Sequence, residues 1–361
     1  MTTTPLRVGI VGTGWRAEYF ARIAVALPDR FELVGVTSRT PENRERFARS
    51  WRTRPFDSVG DLVGAGRPEL VITSVPVPAN PDVIGDLVDL GAHVLAETPP
   101  APTLAGLVDL WDRVGAGGLV HIAEQYPELP GHAARRAVVA SGAIGDVSSV
   151  QVSSTHGYHA VALMRSFLGY AGHGAVTVRA STFDAPLVDP LSRAGWSHDD
   201  RPKRARTILA TLDFGDDRSG LYDFTDNQWH NRLRFRRILV RGSRGEISGD
   251  AVVRLAGDET VLTSSISRSQ LGHDLNLDGH DTEHLAFDGS IVWRNPVLGA
   301  RFMDEEIAMA AVMLRAGTWA RGEGDGPYSL ADASRDHAIA LAIDEAAETG
   351  AATVESDLPW A

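Results

Sequence analysis

The chain has 361 residues, 43% of them apolar, a formal net charge of −12 and no cysteine. A chain of this length is expected to divide into two domains, and its acidity argues against nucleic acid or an anionic membrane surface as a partner. The absence of cysteine excludes disulfides, thiolate catalysis and sulfur-ligated metal.

Met1-Thr2-Thr3-Thr4-Pro5 runs directly into an apolar strand from Leu6, with no signal-peptide pattern. No apolar run is long enough to cross a bilayer, so a cytoplasmic protein is expected. The strand ends in Gly12-Thr13-Gly14-Trp15-Arg16-Ala17, a G-x-G-x-x-A turn that opens a helix. Gly12 permits the tight turn, Gly14 lets backbone approach a pyrophosphate, and Ala17 lets the helix pack close on its strand. The unpaired N–H groups of the first helical turn favour an anion. Gly12, Thr13, Gly14, Trp15 and Arg16 are therefore expected at a dinucleotide, with an exposed helix position as the other reading of Arg16.

Strand-like runs at Phe31–Ser38, Leu70–Val75, His93–Ala96 and Leu119–Ala123 alternate with helical stretches at Trp15–Ala26, Pro41–Trp51, Pro81–Leu90 and Leu104–Val114. This order predicts a doubly wound parallel sheet with the dinucleotide across its carboxyl edge. The second strand ends in Thr37-Ser38-Arg39-Thr40, with no acidic residue for a ribose 2′-hydroxyl. Arg39 and Ser38 suit a 2′-phosphate, so NADP is the expected cofactor; NAD stays open if Arg39 only stacks on adenine.

From Asp146 the pattern changes to strands at Val150–Ser154, Val176–Phe183, Thr207–Phe214, Gly220–His230, Arg237–Arg241, Glu246–Leu255, Val261–Ser267 and Ile291–Trp293. Such a run predicts an α+β domain with a mostly antiparallel open sheet. Helices are expected over Asp304–Leu314 and from the Ser329 cap to Gly350. Pro186–Arg206 and Gln270–His284 read as long loops. The expected division is residues 1–124, a dinucleotide-binding domain, and 125–361, a substrate-binding and oligomerisation domain.

Four segments together resemble the glucose–fructose oxidoreductase, inositol dehydrogenase and MocA (Gfo/Idh/MocA) family over nearly the whole chain. They are the glycine turn, Gly91-Ala92-His93-Val94-Leu95-Ala96-Glu97-Thr98-Pro99, Ser141-Gly142-Ala143-Ile144-Gly145, and Ala342-Ile343-Asp344-Glu345-Ala346-Ala347. The resemblance implies a Rossmann domain beside an open antiparallel sheet. It also implies a nicotinamide cofactor, a sugar or cyclitol hydroxyl as the reacting group, and a homodimer or homotetramer packed through that sheet. It places His159 at the family's catalytic histidine. Thr98 stands where the family has lysine, and Thr155 where it has aspartate. Ala162 fills a position that is commonly acidic.

Codon bias towards arginine does not account for Thr98. The chain's only lysine, Lys203, lies in a polar stretch that reads as solvated loop. Hydride transfer at a carbon bearing oxygen or nitrogen also moves a proton, and a positioned acid or base contributes roughly 100- to 10,000-fold. Three readings follow. His159 alone does this work, helped by Tyr126 or Tyr158, in an NAD(P)-dependent oxidoreductase of a sugar, cyclitol or cyclic imine. A retained cofactor serves a redox-neutral epimerase or glycoside-cleaving enzyme. The fold has become a non-catalytic sensor.

The resemblance also implies that Ser74, Pro76 and Asn80, with Glu97 and Pro99, lie beside the nicotinamide, although Asn80 also reads as a helix cap. Glu124, Gln125, Tyr158, Trp229 and His230 are expected at a small-molecule substrate; the other readings are that Glu124, Gln125 and Tyr126 satisfy one another at the domain boundary and that Trp229 and His230 fill an interface. Tyr222, Phe224, Asp226, Gln228 and His230 read as alternating along one strand face. His280 and His284 have metal-like spacing but lack a third ligand, so no metal is expected.

Overall fold

A computed structural model of the chain describes residues 4–170, 174–192, 194–275, 277 and 279–360. In the first half, β1 (Leu6–Val11), α1 (Trp15–Ala26), β2 (Phe31–Thr37), α2 (Pro41–Trp51) and β3 (Pro55–Phe56) follow one another. A single turn, α3 (Val59–Asp61), precedes β4 (Leu70–Thr73), α4 (Asn80–Asp89), β5 (Val94–Ala96), α5 (Leu104–Val114) and β6 (Val120–Ile122). The six strands form one parallel sheet in the order β3-β2-β1-β4-β5-β6. The order reverses between β1 and β4, which opens a crevice at their carboxyl ends.

The second half begins with α6 (Pro130–Ala140), β7 (Val147–Ser153) and α7 (Gly157–Leu168). Next come β8 (Val176–Leu187), the small hairpin β9 (Leu191–Ser192) and β10 (Gly195–Trp196), β11 (Lys203–Gly215) and β12 (Arg218–Thr225). Then β13 (Arg237–Gly242), β14 (Gly245–Ser248), β15 (Ala251–Leu255) and β16 (Val261–Ser265) complete one edge. A separate three-stranded sheet holds β17 (Ser267–Leu271), β18 (Asp281–Phe287) and β19 (Ser290–Arg294). The chain closes with α8 (Asp304–Ala320), α9 (Leu330–Thr349) and β20 (Ala351–Val354). Nine strands, in the order β16-β15-β14-β13-β7-β12-β11-β8-β20, make the large sheet; only β7 and β12 pair in parallel.

One face of that sheet is core. Val176, Val178, Ala210, Leu212, Phe214, Val150 and Val152 pack there against Val161, Met164 and Phe167 of α7 and Ile339 and Ile343 of α9. The alternate residues Leu209, Val253 and Leu262 are exposed on the other face.

Helix α8 crosses the division expected at residue 124. Its Ile307, Met309, Ala310, Val312, Met313 and Ala316 pack with Val8, Ile10, Phe20 and Ile23, so it covers the first domain's sheet beside α1.

Several expected boundaries move. The strand expected to reach His230 ends at Thr225, where Asn227 takes a left-handed φ of 58°. Glu246–Leu255 is a hairpin, turned at Gly249 with φ 57°. The loop expected over Pro186–Arg206 is shorter: strand takes its two ends, where β8 and β11 pair from Lys203↔Leu187 onward, and the β9–β10 hairpin lies within it. Likewise, β17 and β18 take up both ends of the loop expected over Gln270–His284. The helix α6 and the edge strand β20 went unread; the first opens on Pro130-Gly131, a weak start signal.

Candidate active site

Five loops that leave the carboxyl ends of β1, β2, β4, β5 and β6 meet at one cleft of about 1610 Å³. Its dinucleotide end is made of backbone. Gly12 has φ 118°, and a Cβ there would lie 2.0 Å from the Ser74 carbonyl oxygen, so only glycine lets β1 and β4 stay this close. Its amide donates to the Thr37 carbonyl at 2.9 Å. Gly14 is the opposite case: a Cβ there meets nothing within 4 Å and would project into open cleft. Gly14 is also the N-cap of α1, with no side-chain cap bond, so the first N–H groups of that helix are left for a ligand. A glycine cradle and an uncapped helix N-terminus together fit a pyrophosphate.

Thr13, Trp15, Arg16, Ser38, Arg39, Ser74, Pro76, Glu97 and Thr98 all line this cleft. Arg39 is exposed at its mouth with no ion-pair partner among the described residues. Arg16 is committed inward instead. Its Nε donates to Glu97 Oε1 at 2.7 Å and its Nη1 to Glu305 Oε1 at 2.6 Å. Against the pull of burial, these two carboxylates raise the Arg16 guanidinium above its ordinary value.

Asn80 and Pro99 stand behind the lining. Buried Asn80 accepts from Thr73 Oγ1 at 2.9 Å and donates to the carbonyls of Glu97 and Pro99 at 3.0 and 3.3 Å. It thereby holds the turn that presents Thr98.

The chemical end is made of side chains. His159, in the first turns of α7, lies with its Nδ1 2.6 Å from Glu124 Oε2. Glu124 Oε1 accepts from the Tyr126 amide at 2.9 Å, which fixes the carboxyl. The sequence reading set Glu124 against substrate; it stands behind His159, fully buried, and leaves the other imidazole nitrogen to the cleft. Burial pushes the Glu124 carboxyl up and the His159 imidazole down, so it disfavours the charged form of each.

Tyr126 and Tyr158 flank the imidazole, each with its ring centroid at 4.4 Å, and Tyr158 also neighbours Thr98. Burial raises both phenols. Gln125 donates to Glu305 Oε1 at 3.4 Å, while its own Oε1 is buried in the cleft lining without a partner. Trp229 and His230 line the far wall. Trp229 stacks on Phe224 at 5.2 Å, and its loop is held by Gln228, which bonds Ser153 and the Phe235 carbonyl.

Sequence reasoning missed His156, Ser154 and Glu305. The His156 ring lies 5.3 Å from His159 and 4.6 Å from Trp229; its Nδ1 and the Ser154 hydroxyl are buried there without partners. The helix-start segment pointed at His156, but nothing local pointed at Glu305. Lys203 lies outside the cleft, exposed, with Nζ 3.1 Å from Asp199. His280 faces Gln270 and His284 faces Glu283; among the described residues no group of three or more His, Cys, Asp or Glu is placed to hold a metal. None of the described helices is long and apolar enough to cross a membrane.

Residues 6–124 match the family model described as an oxidoreductase family with an NAD-binding Rossmann fold, GFO_IDH_MocA. An uncharacterized oxidoreductase of Schizosaccharomyces pombe is 26% identical over 147 residues, a match that spans 40% of each chain. A myo-inositol dehydrogenase from Corynebacterium glutamicum is similar in structure, with TM-score 0.67 and 18% identity over 97% of this chain and 99% of that one. Levoglucosan dehydrogenase, solved with NADH and levoglucosan, has TM-score 0.69 at 17% identity, covering 98% of this chain and all of that one. At these identities the structural likeness is one of fold, and it extends over both domains. Residues 6–124 are thus similar to the NAD-binding Rossmann-fold domain of the Gfo/Idh/MocA oxidoreductases, and the whole chain shares the two-domain fold of the solved dehydrogenases.

Proposed function

We propose that the chain is an NADP(H)-dependent oxidoreductase acting at a C–O or C–N centre of a small polar molecule, a sugar, a cyclitol or a cyclic imine. The observation that carries this reading is the bond of 2.6 Å between Glu124 and His159, whose imidazole lines the same cleft as the glycine turn. The amides of Thr13 to Arg16 would hold the pyrophosphate, Ser38 and Arg39 the 2′-phosphate. Ser74, Pro76, Glu97 and Thr98 would face the nicotinamide side. A bound nicotinamide supplies or takes up the hydride.

The protein's part is the proton. With Glu124 protonated, Oε2–H donates to Nδ1 and the imidazole carries its own proton on Nε2, ready to pass it to a substrate oxygen or nitrogen. As that proton leaves, Nδ1 takes the one from Glu124, and a carboxylate remains hydrogen-bonded to Nδ1–H. Run backwards, Nε2 is the base for oxidation. Such a relay needs no ammonium, which is consistent with Thr98 at the lysine position. Thr98, Tyr126 and Tyr158 would add hydrogen bonds to the reacting oxygen.

Incubating the protein with NADPH and a panel of carbonyls and cyclic imines tests the reading. Loss of nicotinamide absorbance is expected with at least one of them. Tight NADPH binding without turnover of any member would overturn it, as would product formed with no net change in absorbance. In the same reading the protein is cytoplasmic, and the exposed face of the large sheet carries the homodimer or homotetramer contact.

A further inference from the structure

Beyond His159 the cleft continues to where α6, β13, β17 and β18 meet, and its lining changes character. Ile238, Ile266 and Leu285 give it an apolar floor. Around that floor stand Arg135 of α6, Arg236 just before β13 and Arg268 of β17. Arg135 is withdrawn from solvent, its side chain 13% exposed, while Arg268 and Arg236 reach solvent at the rim.

Charge does not balance here. Arg135 pairs with Asp250 at 2.8 Å, and Arg268 binds both oxygens of Asp304 at 2.6 and 2.7 Å. Arg236 donates to the Trp229 carbonyl and has no carboxylate within ion-pair distance among the described residues. Three guanidiniums thus face two carboxylates, in a chain whose net charge is −12. Burial, and beyond it the charge of Arg268, lowers Arg135, so the two cations act on one another across the pocket. His132 adds no negative charge: its Nδ1 accepts from Arg135 at 3.2 Å, which leaves its proton on Nε2.

We infer that this end of the cleft is a carboxylate subsite: the substrate carries a carboxylate, set off from its reacting carbon by an apolar segment, and Arg236 receives it beside Arg135 and Arg268. One uncompensated positive charge matches a monoanion better than a dianionic phosphate. The planar fork of arginine suits the two carboxylate oxygens. The inference rests on reading His159 as the reacting end.

The test is calorimetric. Protein loaded with NADP⁺ is titrated with short ω-oxo carboxylates of increasing chain length and with their methyl esters. At least one acid is expected to bind about tenfold more tightly than its ester, since hydrogen bonds to charged groups contribute about 1.5–3 kcal/mol. In Arg236→Gln that preference is expected to vanish while the affinity for NADP⁺ is unchanged. Equal binding of acids and esters, no binding of any acid, or an undiminished preference in Arg236→Gln overturns the subsite. Failure of NADP⁺ to bind in the first titration strikes the oxidoreductase reading instead. The same acid–ester comparison on unloaded protein then still decides the subsite.

Discussion

The dinucleotide region and the His159 region of the cleft are built on different principles. At the glycine turn, recognition is a property of backbone: Gly12 is pressed against a neighbouring carbonyl, Gly14 is left bare, and the helix behind offers unsatisfied amides. Around His159, recognition belongs to side chains that have been taken out of water and coupled in pairs. A dinucleotide is the same in every reaction that uses it, so a backbone mould suffices for it. Proton transfer has to be tuned, and side chains from β6, α7 and α8 converge to do so.

That contrast can be broken in several places. The largest effect is expected from His159→Asn, which keeps an amide near Nδ1 and removes Nε2. Turnover should fall about 100- to 10,000-fold, with the NADPH dissociation constant unchanged. Equal rates would move the chemistry onto Tyr126 or Tyr158.

Acid should expose the His159 region's dependence on burial. His132 and His156 are each held neutral, with values lowered to about 3, by burial first and then by Arg135 and His159 respectively. An unfolded histidine takes up its proton near ~6.5. Below that pH the unfolded chain binds protons that the folded one refuses, so stability present at pH 7 is lost as pH falls. By about pH 5 the loss is on the order of 2 kcal/mol for each residue. Urea midpoints at the two pH values measure it, and His156→Asn should remove its share; a flat profile would count against the buried neutral state.

Gly12→Ala and Gly14→Ala sharpen the contrast within the dinucleotide region. Gly12→Ala should cost about 3 kcal/mol of stability, from its φ and from the backbone it meets. Gly14→Ala should leave stability within about 0.5 kcal/mol and weaken NADPH binding about tenfold. Chemical denaturation and fluorescence titration separate the two, and matching outcomes would refute the distinction. The smallest change is Arg39→Ala, expected to weaken NADPH about tenfold and to spare NADH. Equal loss for both cofactors would assign Arg39 to adenine stacking.

How much could be read in advance follows the same division. The strand, glycine turn and helix from Leu6 to Ala26 are specified by neighbouring residues, and the structure closes β1 and α1 at the bounds of that reading. The alternation of strands and helices up to Ile122 was legible for the same reason. The outer ends of β8 and β11, residues 184–187 and 203–206, were not: they carry Asp184, Arg204 and Arg206, and only their pairing makes them strands. In the site, Thr98 and His159 came through family resemblance. The Arg16–Glu305 bond joins residues 289 apart, and no local pattern foretells it. Asn80 shows the limit from another side. Its position was noted, but its work is to staple a turn, which only the fold reveals.

Helix α8 reaches back to close the first domain, and this has a consequence for how the molecule is made. A chain leaving the ribosome completes the strands of its parallel sheet by Ile122, yet the apolar cover over one side of that sheet is encoded beyond residue 304. Until Ile307, Met309, Val312 and Met313 are synthesised, roughly 6–12 kcal/mol of gross burial is missing from the nascent half. The first domain's core is therefore complete only once α8 has packed on it.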